Sequence, residues 1–238
     1  MKELHIITPV KDAVDLTLDT AAAVISSDIS VPHTYFIYDD FSSDGTRSRL
    51  RKAATEMPFE LIHLSELTTH PSPNYLLVLQ LAQERALASG AGLLIVESDV
   101  VVRPGTLQGL FDGALQRPDC GIAAAVTVDS DGKINYPYLF ARGREGEVFA
   151  EKKHLSFCCS LLTPALLRAV DFHMLDSGKN WHDVTISHLS LEAGLKNYLF
   201  TNLPVWHRPH GGRPWKQLKY SNPLKYYWQK FTKGRDKI

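Results

Sequence analysis

The chain has 238 residues, 26 basic and 26 acidic side chains, 44% hydrophobic and 22% charged content. That balance fits a filled core, excludes a disordered or low-complexity chain, and suits one large domain. No apolar run reaches the roughly 18 to 20 residues of a membrane span, and MKELHIITPV lacks the long apolar stretch of a signal peptide.

The elements read in chain order as strands alternating with amphipathic helices, an α/β pattern. HIIT is a short buried strand. Asp12 to Ser27 carries Val14, Leu18, Ala22 and Ile25 at helical spacing. TYFIYDD is a second strand, FSSDGT a turn, and Thr46 to Thr55 a helix. FELIHL is a third strand, and Asn74 to Ser89 a long helix ended by Gly90. LLIVES is continuously apolar, as expected of a central strand buried on both faces. Pro104 opens a helix to about Gln116. IAAAVTV, KINYPYLF and HLSFCCSLL then read as strands, with VDSDGK a turn. Thr163 to Val170 and Asp183 to Ala193 read as helices, the second stopped by Gly194, and YLFTNLPVW as a late strand.

Charge is unevenly placed. From Arg213 onward there are 8 Lys/Arg and 1 Asp, and the remainder holds 18 basic and 25 acidic residues. The tail also carries Trp215, Tyr220, Tyr226, Tyr227, Trp228 and Phe231. Such a segment suits an anionic membrane surface, an anionic ligand or an acidic body, or a helix packed on the domain with solvated lysines. Cys120, Cys158 and Cys159 lack zinc spacing and read as reduced core thiols of a cytosolic protein.

Chemistry is expected beyond the carboxyl ends of the strands. TYFIYDD delivers Asp39 and Asp40 there, and LLIVESD delivers Glu97 and Asp99. Glu97 and Asp99, two apart, face one side of a strand and repel unless a cation or hydrogen-bond donors compensate. A divalent ion bridging to phosphate oxygens would do so; capping a following turn is the plainer use. No P-loop, no G-x-G-x-x-G after the first strand and no G-x-S-x-G elbow is present.

The order HIITPVKD, YFIYDDFSSDGT, then PNYLLVLQLAQERALASGAGLLIVESDVVVRPGTL resembles the inverting family 2 glycosyltransferases of the GT-A fold. The likeness is best over residues 4 to 112 and weaker through WHDVTISHLSLEAGLKNYLFTNLPVWHRPH. It implies an α/β fold with a mostly parallel central sheet flanked by helices. The implied layout is a single GT-A domain over 1–212, with a nucleotide-sugar half at 1–118, an acceptor half at 119–212, and a basic aromatic tail at 213–238. Glu97-Ser98-Asp99 falls where the family has its metal-binding acidic triplet. The resemblance therefore implies Glu97, Asp99 and a late-arriving His207 as ligands of Mn²⁺ or Mg²⁺. It implies Thr8, Pro9, Asp39, Asn74, Ser98, Arg208, His210 and Arg213 as donor-binding residues. Asp183 is implied as the general base, with His182 the runner-up and Trp181 and His182 at the acceptor. Asp39 opposite a pyrimidine N–H makes UDP the favoured nucleotide.

The family's usual Glu-Asp pair is His182-Asp183 here, the triplet's first acid is Glu, and the asparagine after the first proline is Asp12. The Q-x-x-R-W motif of processive enzymes is absent, so one sugar per encounter is expected. The implied reaction is metal-dependent inverting transfer from a nucleotide-diphospho-sugar to a glycan or lipid-linked acceptor, in a cytoplasmic enzyme touching the inner membrane face through its tail. Surface-glycan synthesis is the expected setting, and no nucleic-acid partner is expected. A non-catalytic nucleotide-sugar- or glycan-binding relative and a nucleotidyltransferase are the alternatives; the second calls for a Gly-rich loop after the first strand, and TPVKDAVD has none.

Overall fold

The computed structural model describes residues 1–179, 181–208 and 222–232. His210, Arg213, the Gly211-Gly212 pair and most of the basic tail lie outside the described residues.

The described strands form one nine-stranded sheet. β1 (Leu4–Val10) lies between β2 (His33–Asp39) and β4 (Gly92–Val96), parallel to both, and β3 (Glu60–His63) extends the sheet beyond β2. Past β4 comes antiparallel β8 (Cys159–Leu162), then β6 (Cys120–Val128) and β9 (Lys196–His207), which run parallel to each other. β9 also pairs antiparallel with β5 (Val100–Val101) and β7 (Val148–Glu151). The central strands are apolar throughout because helices cover both faces. The covering helices are α1 (Val14–Ile25), α2 (Asp44–Glu56), α3 (Tyr75–Ser89), α4 (Thr106–Leu115), α5 (Pro164–Ala169) and α6 (His182–Glu192).

Side-chain alternation sorts the core into two layers. Ile7, Leu93 and Ile95 pack with Val78, Leu79 and Ala82 of α3, Leu166 of α5 and Ile186 of α6. Ile6, Leu94 and Val96 pack with Ala21 of α1, Leu50 of α2 and Leu110 of α4. A period of two on each strand feeds both layers.

Several expectations are corrected. KINYPYLF is not a strand: of it Ile134 makes an isolated bridge, to Val128, and Leu139–Ala141 is a 3-10 turn. Pro137 has no N–H to donate to a ladder. Of HLSFCCSLL, only Cys159–Leu162 pairs. β5 and β7 are too short and too little patterned to be read from sequence. Gly90 and Gly194 do end α3 and α6, at φ 70° and 80°. The DSDG turn is built on Asp129, whose carboxylate accepts the Asp131 and Lys133 N–H groups.

α4 lies close on β9 because Gly113 has no side chain. A Cβ there would meet Phe200 Cε1 at 2.3 Å. Phe200 is buried and cannot swing away. Gly113→Ala is expected to destabilise the fold by about 1–3 kcal/mol through overpacking, seen as a lower urea midpoint with an unchanged slope.

Candidate functional site

The carboxyl ends of β1, β2 and β4 open toward one region. Three non-glycine residues with positive φ lie at two of these ends: Asp12 (57°), Ala13 (51°) and Phe41 (55°). Left-handed backbone at such residues costs of order 1–2 kcal/mol each and clusters at functional sites. The two loops are latched together: Lys11 Nζ donates to the Phe41 carbonyl, Asp12 N–H to Ser42 Oγ (2.8 Å), and Ser43 N–H to Asp12 Oδ1 (2.8 Å). The bond from Ser43 holds the Asp12 carboxyl below its ordinary pKa.

Asp39 and Asp40 have taken different work. Asp39 is 1% exposed; His63 Nδ1 lies 2.8 Å from its Oδ2 and Ser42 N–H donates to its Oδ1. Arg51 Nε donates to His63 Nε2 (3.2 Å), so the proton on His63 sits on Nδ1 and points at Asp39. Arg47 Nε stands 3.6 Å from the same carboxylate. Asp39 thus sits within a hydrogen-bonded cluster at the end of β2. Thr8 is fully buried, with its hydroxyl 2.8 Å from Tyr35 Oη. Pro9 and Ser98 are partly exposed. Asp40 anchors the start of α3, accepting from Asn74 N–H (2.8 Å), Asn74 Nδ2 (2.7 Å) and Ser72 Oγ (2.7 Å). Nδ2 of Asn74 also donates to the His70 carbonyl (3.0 Å).

At the end of β4 the acids converge with a histidine. β5 pairs Val100 with His207 across the sheet, and Arg208 N–H donates to the Asp99 carbonyl (2.9 Å). This brings His207 Nε2 within 3.7 Å of Asp99 Oδ2. The other ring nitrogen, Nδ1, is held 3.0 Å from the Tyr136 carbonyl. Such a contact fixes the ring and leaves Nε2 as the ligating face. Cys158 joins them: Val96 pairs with Cys159, so Glu97 stands opposite Cys158, and Glu97 N–H donates to the Cys158 carbonyl (2.9 Å). The thiol donates to Glu97 Oε2 (3.3 Å). One ligand atom each from Glu97, Cys158 and His207 lies within 4.8 Å of the others. Glu97, Asp99 and His207 are thus brought together as the sequence suggests, and Cys158, read as a core thiol, is the ligand-type residue it missed.

The electrostatics fit a cation. Burial, then the charge of Asp99, pushes the Glu97 carboxyl up to about 7. Burial opposes charge on His207, but the hydrogen bond to Asp99, the Tyr136 carbonyl and the charges of Asp99 and Glu97 together outweigh it and raise the imidazole above its ordinary value. Crowded carboxylates beside an oriented imidazole are a donor set that a divalent ion satisfies.

α6 supplies the facing wall. It begins at His182 with Trp181 at the N-cap, so Asp183 lies in the first turn rather than at the cap. Asp183 is partly exposed and its charge acts on Glu97, Tyr75 and Tyr138. His182 is buried against the Tyr75 ring (6.3 Å), and burial lowers its pKa. Trp181 is partly exposed. The Tyr75 hydroxyl is buried and has no hydrogen-bond partner among the described residues. Arg208 follows His207 on the strand and points to the other face, with Nη1 2.8 Å from Asp19 and its guanidinium 5.0 Å from the Trp206 ring. A separate cavity of about 440 Å³, lined by His33, Tyr35, Met57 and Phe59, lies at the start of β2 and contains none of these groups.

The fold has solved counterparts. A mannosyltransferase from Pyrobaculum calidifontis, in complex with GDP-Man and Mn²⁺, superposes with a TM-score of 0.67 at 15% identity, covering 99% of this chain and 65% of its own. TarS of S. aureus superposes at 0.62 and 15% identity, covering 86% and 60%; its complex with UDP-GlcNAc gives 0.63 at 14%, covering 89% and 60%. The chain has the GT-A glycosyltransferase fold. It spans about two thirds or less of the length of these GT-A counterparts. No family model and no curated protein sequence matches it.

The raised Glu97 and His207 values make ligand-free stability depend on pH. Below the ordinary value of 4.5 Glu97 is protonated folded or unfolded; between there and about 7 only the folded chain keeps the proton. Stability therefore falls as pH rises through that window. His207 acts in the same sense, its stabilising charge being lost as pH rises through its folded value. The melting temperature of chelator-treated protein is expected to drop between pH 5 and pH 8, and Glu97→Gln to flatten the drop. A flat wild-type profile would contradict the assignment.

Proposed function

We propose that this chain is a metal-dependent inverting glycosyltransferase that moves one sugar per encounter from a nucleotide-diphospho-sugar to an acceptor hydroxyl. The observation that carries the reading is the convergence of Glu97, Asp99 and His207 at one end of the sheet, with Asp183 acting on the same centre from α6. Glycosyltransferase counterparts with nucleotide-sugar ligands support it. A divalent cation, Mn²⁺ or Mg²⁺ in the simplest case, held by Glu97, Asp99 and His207 would neutralise charge developing on the diphosphate leaving group.

The chain's own residues supply the rest. Asp183 accepts the proton of the acceptor hydroxyl as that oxygen attacks the sugar's far face, which inverts the anomeric centre. His182, buried and biased toward neutrality, gives way to Asp183 in this role and shapes the wall with Tyr75. Trp181 offers an aromatic face for a sugar ring at the helix entrance. The latched loops after β1 and β2 frame the nucleotide pocket. UDP is the first nucleotide to test, with a partner such as UDP-GlcNAc, and GDP the second. Acceptors of the glycan or lipid-linked class, in surface-glycan synthesis, complete the reading.

Calorimetry with UDP and GDP, with and without Mn²⁺, tests it. One nucleotide is expected to bind only with the ion, and Asp99→Ala to abolish that binding. Asp183→Asn is expected to keep donor affinity and lower turnover by about 10²–10⁴-fold. A folded protein that binds neither nucleotide would overturn the reading.

We further propose a peripheral membrane contact, at the cytoplasmic face, through α7 (Pro223–Thr232), where Leu224, Tyr227 and Trp228 are exposed beside Lys225. Among the described residues no helix is long and apolar enough to cross a membrane. Deleting residues 214–238 is expected to reduce sedimentation with anionic liposomes. Equal sedimentation of both forms would dispose of the contact.

A further inference from the structure

We propose that the Cys158 thiolate is a ligand of this same metal centre and shifts its preference toward thiophilic ions, zinc and cobalt ahead of manganese and magnesium. The inference rests on the reading that the end of β4 holds a cation, and deepens it by naming the ligand that selects the ion.

Geometry is the first support. The Cys158 sulfur is 3.3 Å from Glu97 Oε2, and it, a Glu97 oxygen and a His207 nitrogen all lie within 4.8 Å of one another. Ligands at roughly 2.0–2.3 Å around one tetrahedral ion sit about 3.5 Å apart, so the sulfur and oxygen already have that spacing. Glu97 and Cys158 lie one residue beyond the last β4–β8 pair, Val96 with Cys159, and are joined by the Glu97 N–H to Cys158 carbonyl bond. Opposite residues project on one face of a sheet. His207 is brought in by β5 and held at Nδ1 by the Tyr136 carbonyl.

A second observation points to a ligand at this place. The Tyr75 hydroxyl is buried, has no hydrogen-bond partner among the described residues, and lies within the electrostatic reach of Glu97, Asp183 and Cys158. Buried polar groups in native structures are rarely left so, and a bound species in the site would complete it.

Donor chemistry sets the preference. Oxygen-only sites suit magnesium and manganese, whereas thiolate with imidazole suits zinc and cobalt. Cys158 adds one sulfur to the imidazole nitrogen of His207 and the carboxylate oxygens of Glu97 and Asp99, and all of these are zinc-ligand types. Binding breaks the S–H bond, forms the sulfur–metal bond, and releases the proton to buffer.

The test is a titration of the chelator-stripped full chain with Co²⁺, followed by absorbance. One equivalent is expected to develop a near-ultraviolet thiolate-to-cobalt charge-transfer band. The band is expected to vanish in Cys158→Ser and to persist in the Cys120→Ala/Cys159→Ala double variant, where Cys158 is the remaining thiol. Calorimetry is expected to show Zn²⁺ binding more tightly than Mn²⁺, and Cys158→Ser to lower zinc affinity by roughly tenfold or more. Should Cys158→Ser fail to fold, the double variant decides: a band supports the proposal and its absence overturns it. Saturable cobalt binding with no band leaves the metal centre standing and removes Cys158 from it. No binding of cobalt, zinc or manganese would overturn both this proposal and the metal-dependent reading beneath it.

Discussion

Repulsion between the carboxylates of Glu97 and Asp99 is the constraint on which the rest of the site depends. Both follow the end of β4. Burial first, and then the charge of Asp99, pushes the Glu97 carboxyl up to about 7. The fold supplies partial relief through His207, turned toward Asp99 by the Tyr136 carbonyl. A cation placed between the two carboxylates and the imidazole would relieve that repulsion further.

That arrangement depends on the reversal in the sheet. Four parallel strands, β3, β2, β1 and β4, build a layered platform, and antiparallel β8 then sets Cys158 directly beside Glu97. β9, long enough to pair with β6, β7 and β5 in turn, ends at His207 next to Asp99. The other strand-end acids are absorbed by the scaffold. Asp39 is enclosed by His63, Arg47 and Ser42, and Asp40 ties the start of α3 through Asn74 and Ser72. Similar side chains at neighbouring strand ends therefore divide into structural and chemical groups according to which donors reach them.

Backbone strain has the same address. Positive φ at Asp12, Ala13 and Phe41 is held by hydrogen bonds between the two loops after β1 and β2. Such strain persists where surrounding structure over-determines it. Here it fixes the two loops against each other, while α6 carries Asp183 close enough for its charge to act on Glu97.

The sequence by itself determined the alternation of strands and helices, the parallel buried platform, and the acid-terminated strands, because periodicity and continuous apolar runs are local signals. It also named Glu97, Asp99, His207 and Asp183. It overread KINYPYLF, where β-forming residues surround a proline that pairing excludes, and passed over β5 and β7, whose short segments carry no period. Only the tertiary structure decided that Asp39, Asn74 and Thr8 turn into the fold, that Arg208 faces Asp19, and that Cys158 rather than its neighbour Cys159 meets the acidic pair. The reason is register. Which of two adjacent residues points into a site is set by pairing between strands far apart in the chain, and a one-residue shift would exchange them.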